Sequence, residues 1–185
     1  MKPRAYINDY LKEYNNITLL EDTIYNYDKL TNYFTKFKPN KIIIYDSYNN
    51  KLFPYKDIIL DKNTFDLPKY HYYLNKVFGT KLSQLPFHFF IELIEDEYYI
   101  FYTRNLLMKP LIPENISPDI EKEYKDSIHI CILGDSNSDV YDRSLYEKIK
   151  SIIKPLSIIF KFGSHYKSYV DVKLGKHFFE DKLWI

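Results

Sequence analysis

Between Leu85 and Arg104 the chain reads LPFHFFIELIEDEYYIFYTR. Phe87, Phe89, Ile91 and Leu93 alternate with His88, Phe90 and Glu92, the two-residue period of a strand, in residue types that favour that state. Glu95-Asp96-Glu97 predicts a short acidic turn, and Tyr98 to Thr103 returns as a second aromatic strand. Large side chains on both faces of this hairpin predict inner strands, covered on each side. Lys41 to Tyr45 (KIIIY) and Ser127 to Leu133 (SIHICIL) are continuous apolar runs of strand length, and Ser157 to Phe162 predicts a further strand.

Helical spacing takes over elsewhere. Tyr6, Ile7, Tyr10, Leu11 and Tyr14 form one apolar stripe. Ile24, Tyr27, Leu30, Tyr33, Phe34 and Phe37 form a second, so 6–37 is predicted to be helical with a break at Asn15-Asn16. Lys69 to Phe78 predicts a helix stopped by Gly79. Ser144 and Glu147 make a capping box ahead of a face of Leu145, Ile149, Ile152 and Ile153, with Pro155 as the expected stop. Lys176 to Trp184 predicts a short terminal helix. Residues 51–68, punctuated by Pro54 and Pro68, and the connection carrying Pro110, Pro113 and Pro118 predict irregular chain. The order predicts an α/β domain over 39–185, a mixed central sheet of about five strands flanked by helices. An N-terminal helical arm over 1–38 precedes it.

Composition narrows the function classes. With 26 Lys and Arg against 25 Asp and Glu, the net charge of +1 gives no footing for nucleic acid or an anionic membrane. No apolar run approaches the roughly 18 residues of a membrane span, and no signal-peptide core follows Met1-Lys2-Pro3-Arg4. One cysteine, Cys131, excludes an internal disulfide and a multi-cysteine zinc site, and on its strand it reads as a small core hydrophobe. The 20 tyrosines and 13 phenylalanines beside only 4 glycines, with many Lys, Asn and Ile, point to AT-rich coding of the kind some viruses and low-GC bacteria use.

Two motifs carry candidate chemistry. Gly134-Asp135-Ser136 after a strand resembles the start of GDSL-type hydrolases, whose serine needs a histidine base oriented by a carboxylate. That block opens such domains, and an Asp-x-x-His closes them. Only about fifty residues follow here, without an Asp-x-x-His, so a polar loop is the better account. His88 and His129 alternate with strand neighbours and read as satisfied sheet residues; His71 and His177, on helices, are expected to be partly exposed.

The second motif set spans residues 40 to 180. KIIIYDS, LPFHFFIELIEDEYYIFYTR, SIHICILGD, the helix from Ser144 and FGSHYKSYVDVKLGKHF follow one another in an order and spacing that resembles the N-acetylmuramoyl-L-alanine amidases related to phage lysozymes and peptidoglycan-recognition proteins. The resemblance implies an amidase-like fold. In that family, three protein ligands hold a zinc ion that acidifies a water and delivers it to an amide carbonyl. A tyrosine and a lysine assist by stabilising the oxyanion.

Carried over residue by residue, the ligand positions fall on Tyr45, His165 and Lys173, and the assisting positions on Phe87 and near Asp171. Of the three ligand positions His165 alone keeps the family's ligand type, because Tyr45 stands where the resemblance implies a histidine and a protonated Lys173 has no lone pair; at the assisting position Phe87 has no hydroxyl. Asp46 and Asp171, with His177, are the substitutes an altered zinc site would need.

The resulting expectation is a catalytically inactive amidase-like protein without cofactor, a structural or binding component of a virion such as a phage tail, residing there or in the host cytoplasm. Its expected partners are other proteins of a larger assembly, met through tyrosine-rich surfaces and the N-terminal helices, with peptidoglycan as a further candidate ligand. The competing expectation is an active zinc-dependent peptidoglycan amidase.

Overall fold

The computed structural model describes residues 3–20, 39, 41–55, 66–135, 143–160 and 169–170. Their order is α1 (Pro3–Glu13), β1 (Thr18–Leu19), β2 (Lys41–Asp46), α2 (Leu67–Phe78), β3 (Phe89–Ile94), β4 (Glu97–Tyr102), α3 (Pro118–Tyr124), β5 (Ser127–Ile132), α4 (Arg143–Phe160) and β6 (Tyr169–Val170). The six strands form one mixed sheet in the order β1-β4-β3-β5-β2-β6, in which both edge strands are two residues long. The fold is α/β, as the alternation of elements predicted.

β3, β5, β2 and β6 run parallel, while β4 is antiparallel to β3 and β1 to β4. The chain leaves β2 for β3 in one direction and β5 for β6 in the other. Right-handed crossovers then place α2 and α4 on opposite faces. Residues opposite one another in register share a face. Phe101, Phe90, Cys131 and Tyr45 line up on one face, with His129 and Ile43 beside them, and Ile100, Ile91 and Ile132 belong to the other. Tyr70 of α2 meets Phe90 with ring centroids 6.1 Å apart, so α2 covers the aromatic face.

The hairpin closes through Glu95 and Asp96, both at positive φ (47° and 65°), the pair of conformations a two-residue type I′ turn demands. Glu97 therefore opens β4 and is no part of the turn. β3 is an inner strand between β4 and β5. α2 starts two residues before its predicted position because Asp66 caps Lys69 N and Pro68 fits the first turn, where a missing N–H costs nothing. Gly79, left-handed at φ 66°, ends it as expected.

Four expectations are corrected. The helix predicted over 6–37 ends at Glu13; after a turn at Asn15-Asn16, Thr18 and Leu19 pair with Tyr102 and Phe101 of β4. Ile7, Tyr10 and Ile17 are buried in the common core, so this part of the expected arm belongs to the domain's packing. The second stripe, 24–37, lies outside the described residues. The strand expected over 157–162 is helical through Phe160, because α4 runs past Pro155. An internal proline costs about 3 kcal/mol. Here Ile149, Ile152, Ile153 and Leu156 stay buried on one stripe through it, each contributing about 1.5–3 kcal/mol. α4 begins at Arg143, so Ser144 lies inside its first turn and not ahead of it as the expected cap position requires; Arg143 and Glu147 approach at 3.9 Å in that turn. The proline-rich connection contains α3, capped by Ser117 and opened by Pro118, a signal of the same kind as Asp66-Pro68. The expected terminal helix over 176–184 lies outside the described residues. None of the described helices is long and apolar enough to cross a membrane.

A Cβ built on Gly79 meets nothing within 4 Å, so Gly79→Ala tests backbone conformation alone. Urea unfolding should show a loss of about 1 kcal/mol with an unchanged denaturant slope; an unchanged midpoint would refute the left-handed cap.

Candidate functional site

Tyr45 ends the apolar run of β2 and is fully buried, as are Phe87 and Asp46. The Tyr45 ring packs on Phe53 (centroids 5.9 Å), and Phe53 in turn packs on Phe87 (6.1 Å) and Tyr70 (6.4 Å). Phe87 stacks on Tyr70 at 6.0 Å and on Phe90 at 5.4 Å. The two positions the resemblance marks as a metal ligand and a catalytic hydroxyl thus belong to one aromatic cluster, with Phe53 between them. Phe53 and Tyr70 carried no mark in the sequence reading: 51–68 reads as irregular chain, and Tyr70 is one aromatic among several on its helix.

The Tyr45 hydroxyl lies 2.9 Å from His129 Nδ1. His129 Nε2 faces the Tyr124 carbonyl at 2.9 Å and Ser127 Oγ at 3.0 Å. A carbonyl only accepts, so Nε2 carries the proton, Nδ1 is the acceptor, and the Tyr45 hydroxyl donates. His88 repeats the arrangement. Its Nδ1 accepts the His129 backbone N–H at 3.0 Å and its Nε2–H donates to the Met108 carbonyl at 2.8 Å. His71 makes a third instance, between the Tyr10 hydroxyl (2.7 Å) and the Leu82 carbonyl (2.8 Å). All three imidazoles are held neutral in one tautomer, with both ring nitrogens engaged. His88 and His129 are satisfied sheet residues, as their alternation implied; His71, expected to be partly exposed, is buried at 1 % because Tyr10 of α1 and Tyr14, just past the end of that helix, pack over it.

Burial drives the pKa of both His88 and His129 down to about 3, and the Arg104 charge adds to the fall in each. His71 is also lowered by burial, while the hydroxyl of its partner Tyr10 is raised by burial. Cys131, fully buried on the same face, has its thiol pushed well up by burial, which leaves no thiolate for ligation or attack.

At the carboxyl ends of β2 and β5 the chain closes on itself. Asp46 Oδ1 accepts Tyr48 N at 3.0 Å and also Asn49 N, and Oδ2 accepts Asn49 Nδ2 at 2.8 Å. The same amide reaches Asp135 Oδ1 at 2.8 Å. Ser47 Oγ takes Gly134 N at 3.0 Å, and Ser47 N donates to the Ile132 carbonyl at 2.9 Å. Asp46 acts as a turn-capping carboxylate. Gly134-Asp135 serves the polar loop that the sequence implied, and Ser136 lies outside the described residues.

These residues do not fit a zinc ligand set. Tyr45 directs its oxygen to an imidazole in a fully buried cluster, Phe87 offers no donor atom, and Asp46 would have to surrender three N–H bonds. His165, Asp171, Lys173 and His177 lie outside the described residues. Between His165 and Asp171 in sequence, β6 pairs in parallel with β2, Tyr169 opposite Ile43 and Val170 opposite Ile44. Among the described residues no group of three or more His, Cys, Asp or Glu side chains could hold a metal. Searches against family models, curated proteins and solved structures return no match for this chain.

The two histidines set an acid limit on the fold. Their folded pKa values lie below the ordinary 6.5, so between 6.5 and about 3 the unfolded chain binds protons that the folded chain refuses. Stability is therefore full above pH 6.5 and falls as pH drops toward 3, by about 1.4 kcal/mol per histidine per pH unit. Urea titrations at pH 7 and pH 5 should resolve this, and stability equal at the two values would disprove it. Tyr45→Phe leaves the His129 acceptor buried without its donor and should cost about 1–3 kcal/mol at pH 7.

Proposed function

We propose that this chain is a catalytically inactive, amidase-like protein that works by binding or by structural assembly, as a virion component of the phage-tail kind. One observation carries the reading: the two catalytic positions that can be followed, Tyr45 and Phe87, are fully buried in a cluster with Phe53 and Tyr70. A zinc-bound water needs an open coordination position and access for an amide. Aromatic rings take up that volume here, and a hydrogen bond to His129 occupies the Tyr45 oxygen.

Composition supports a role at protein surfaces. Tyrosine supplies broad, rigid contact area with a polar tip. Tyr72 is 64 % exposed on the outer side of α2, with Lys76 Nζ 4.4 Å from its ring centre, and Val77 of the same helix is also exposed. Of the N-terminal segment expected to dock partners, Ile7, Tyr10 and Ile17 are spent on the core, which leaves docking to the outer face of α2 and to the second stripe. The AT-rich coding signature is compatible with a viral gene.

Metal analysis and a cell-wall lysis assay on the purified chain test the reading together. The expected outcome is zinc far below one equivalent and no lysis. Stoichiometric zinc that is lost in His165→Ala, accompanied by lysis of peptidoglycan, would replace the proposal with an active amidase.

A further inference from the structure

Arg104 lies just beyond the end of β4, next to the start of β3, at the opposite end of the sheet from Asp46 and Asp135. It is 5 % exposed. Its Nε donates to the Lys109 carbonyl at 2.6 Å and its Nη1 to the Leu85 carbonyl at 3.3 Å. A guanidinium has five N–H groups. One on Nη1 and both on Nη2 meet no acceptor among the described residues. Nor does any described carboxylate pair with it; the nearby Lys109 ammonium stands 3.7 Å from Asp126.

Carbonyl oxygens satisfy N–H groups but do not neutralise a cation, and withdrawing a cation from water costs several kcal/mol. A neutral donor would clamp the same two carbonyls at less cost. Among the described residues, the ionisable groups near Arg104 are His88, just before β3, and His129 of β5, each of which feels its charge; both are held neutral by their hydrogen bonds, so neither supplies a counter-charge. The corner contains a second under-used donor. Gln84 Oε1 accepts Asn105 N at 2.7 Å, while Gln84 Nε2 faces only the Met108 thioether at 3.3 Å, among the weakest acceptors a protein offers. Met108 itself is 40 % exposed, so the corner reaches solvent.

We infer that Arg104 and the Gln84 carboxamide form an oxyanion site, in which the unfilled guanidinium N–H groups receive a carboxylate or phosphate brought by a ligand. Guanidinium and oxyanion pair through two parallel hydrogen bonds, and the ligand supplies a negative charge that no described residue brings to the guanidinium. The inference does not rest on the proposed function: Arg104 closes one of the segments that carry the amidase resemblance, but neither it nor Gln84 is one of the ligand or assisting positions, Tyr45, His165, Lys173, Phe87 and Asp171.

The chain has three arginines, Arg4, Arg104 and Arg143, so their side-chain Nε–H signals can be followed separately by NMR in the intact wild-type protein. Inorganic phosphate and acetate are titrated in turn at constant ionic strength, with chloride as the balancing salt. The expected result is a saturable shift of the Arg104 signal with one of the two anions, which also distinguishes a phosphate site from a carboxylate site. In Gln84→Ala the affinity should fall about tenfold, the scale of one lost hydrogen bond to a charged group. A shift that does not saturate, or one shared equally by Arg4 and Arg143, overturns the site, and unchanged affinity in Gln84→Ala overturns its second donor.

Discussion

A neutral imidazole joins the middle of this sheet. His129 sits on β5 between β3 and β2, takes the Tyr45 hydroxyl from one neighbour and offers its backbone N–H to His88 at the start of the other. Each of these contacts admits one donor and one acceptor in one arrangement. An unsatisfied hydroxyl or imidazole at this depth would cost about 1–3 kcal/mol, so the register of three strands and the tautomer of two rings are mutually dependent. The ladder hydrogen bonds alone would tolerate a slip that this network does not.

The same network gives the two faces of the sheet different characters. Ile42, Ile44, Ile128, Ile130 and Ile132 make one face aliphatic over β2 and β5, where packing is non-directional, with Phe89 and Tyr102 joining it on β3 and β4. The other carries Tyr45, His129, Cys131 and Phe90 beneath α2, and there each polar tip needs a partner. Aromatic rings fill the space between sheet and helix, from Phe90 through Phe87 and Tyr70 to Tyr73 and Tyr55 nearer the surface. Volume filled by rings is closed to water. That links the packing of this face to the functional proposal: Tyr45 and Phe87, which the resemblance aligns with a ligand and an assisting hydroxyl, are among the side chains that fill it.

Much of the fold was legible because its signals are local. The hairpin announced itself through alternation on either side of Glu95-Asp96, and α2 through its spacing and Gly79. The failures share a cause. Pro155 is a local stop signal that the buried stripe through Leu156 outweighs, and Thr18-Leu19 is too short to show a period, becoming a strand only because β4 offers it an edge. Of the candidate site, Tyr45, Asp46 and Phe87 could be located in sequence and found in the structure. Their partners could not be foreseen, because Tyr45 and His129 lie 84 positions apart and nothing near either one names the other. Arg104 was visible only as the residue closing the hairpin.

Sequence by itself determined the α/β class, the hairpin, the buried strands, and the side-chain chemistry at the positions that the amidase resemblance singles out: a phenol and a phenyl where that resemblance implies a ligand and a hydroxyl. Those follow from periodicity and residue identity, which are properties of the chain read along its length. Tertiary structure alone decided that the hairpin's first strand lies between β4 and β5, that His71 is buried, that Asp46 caps a turn, and that Arg104 is enclosed without a described counter-ion. Those depend on which distant residues meet and on how much water they exclude, and burial sets both the cost of a charge and the protonation state of a ring.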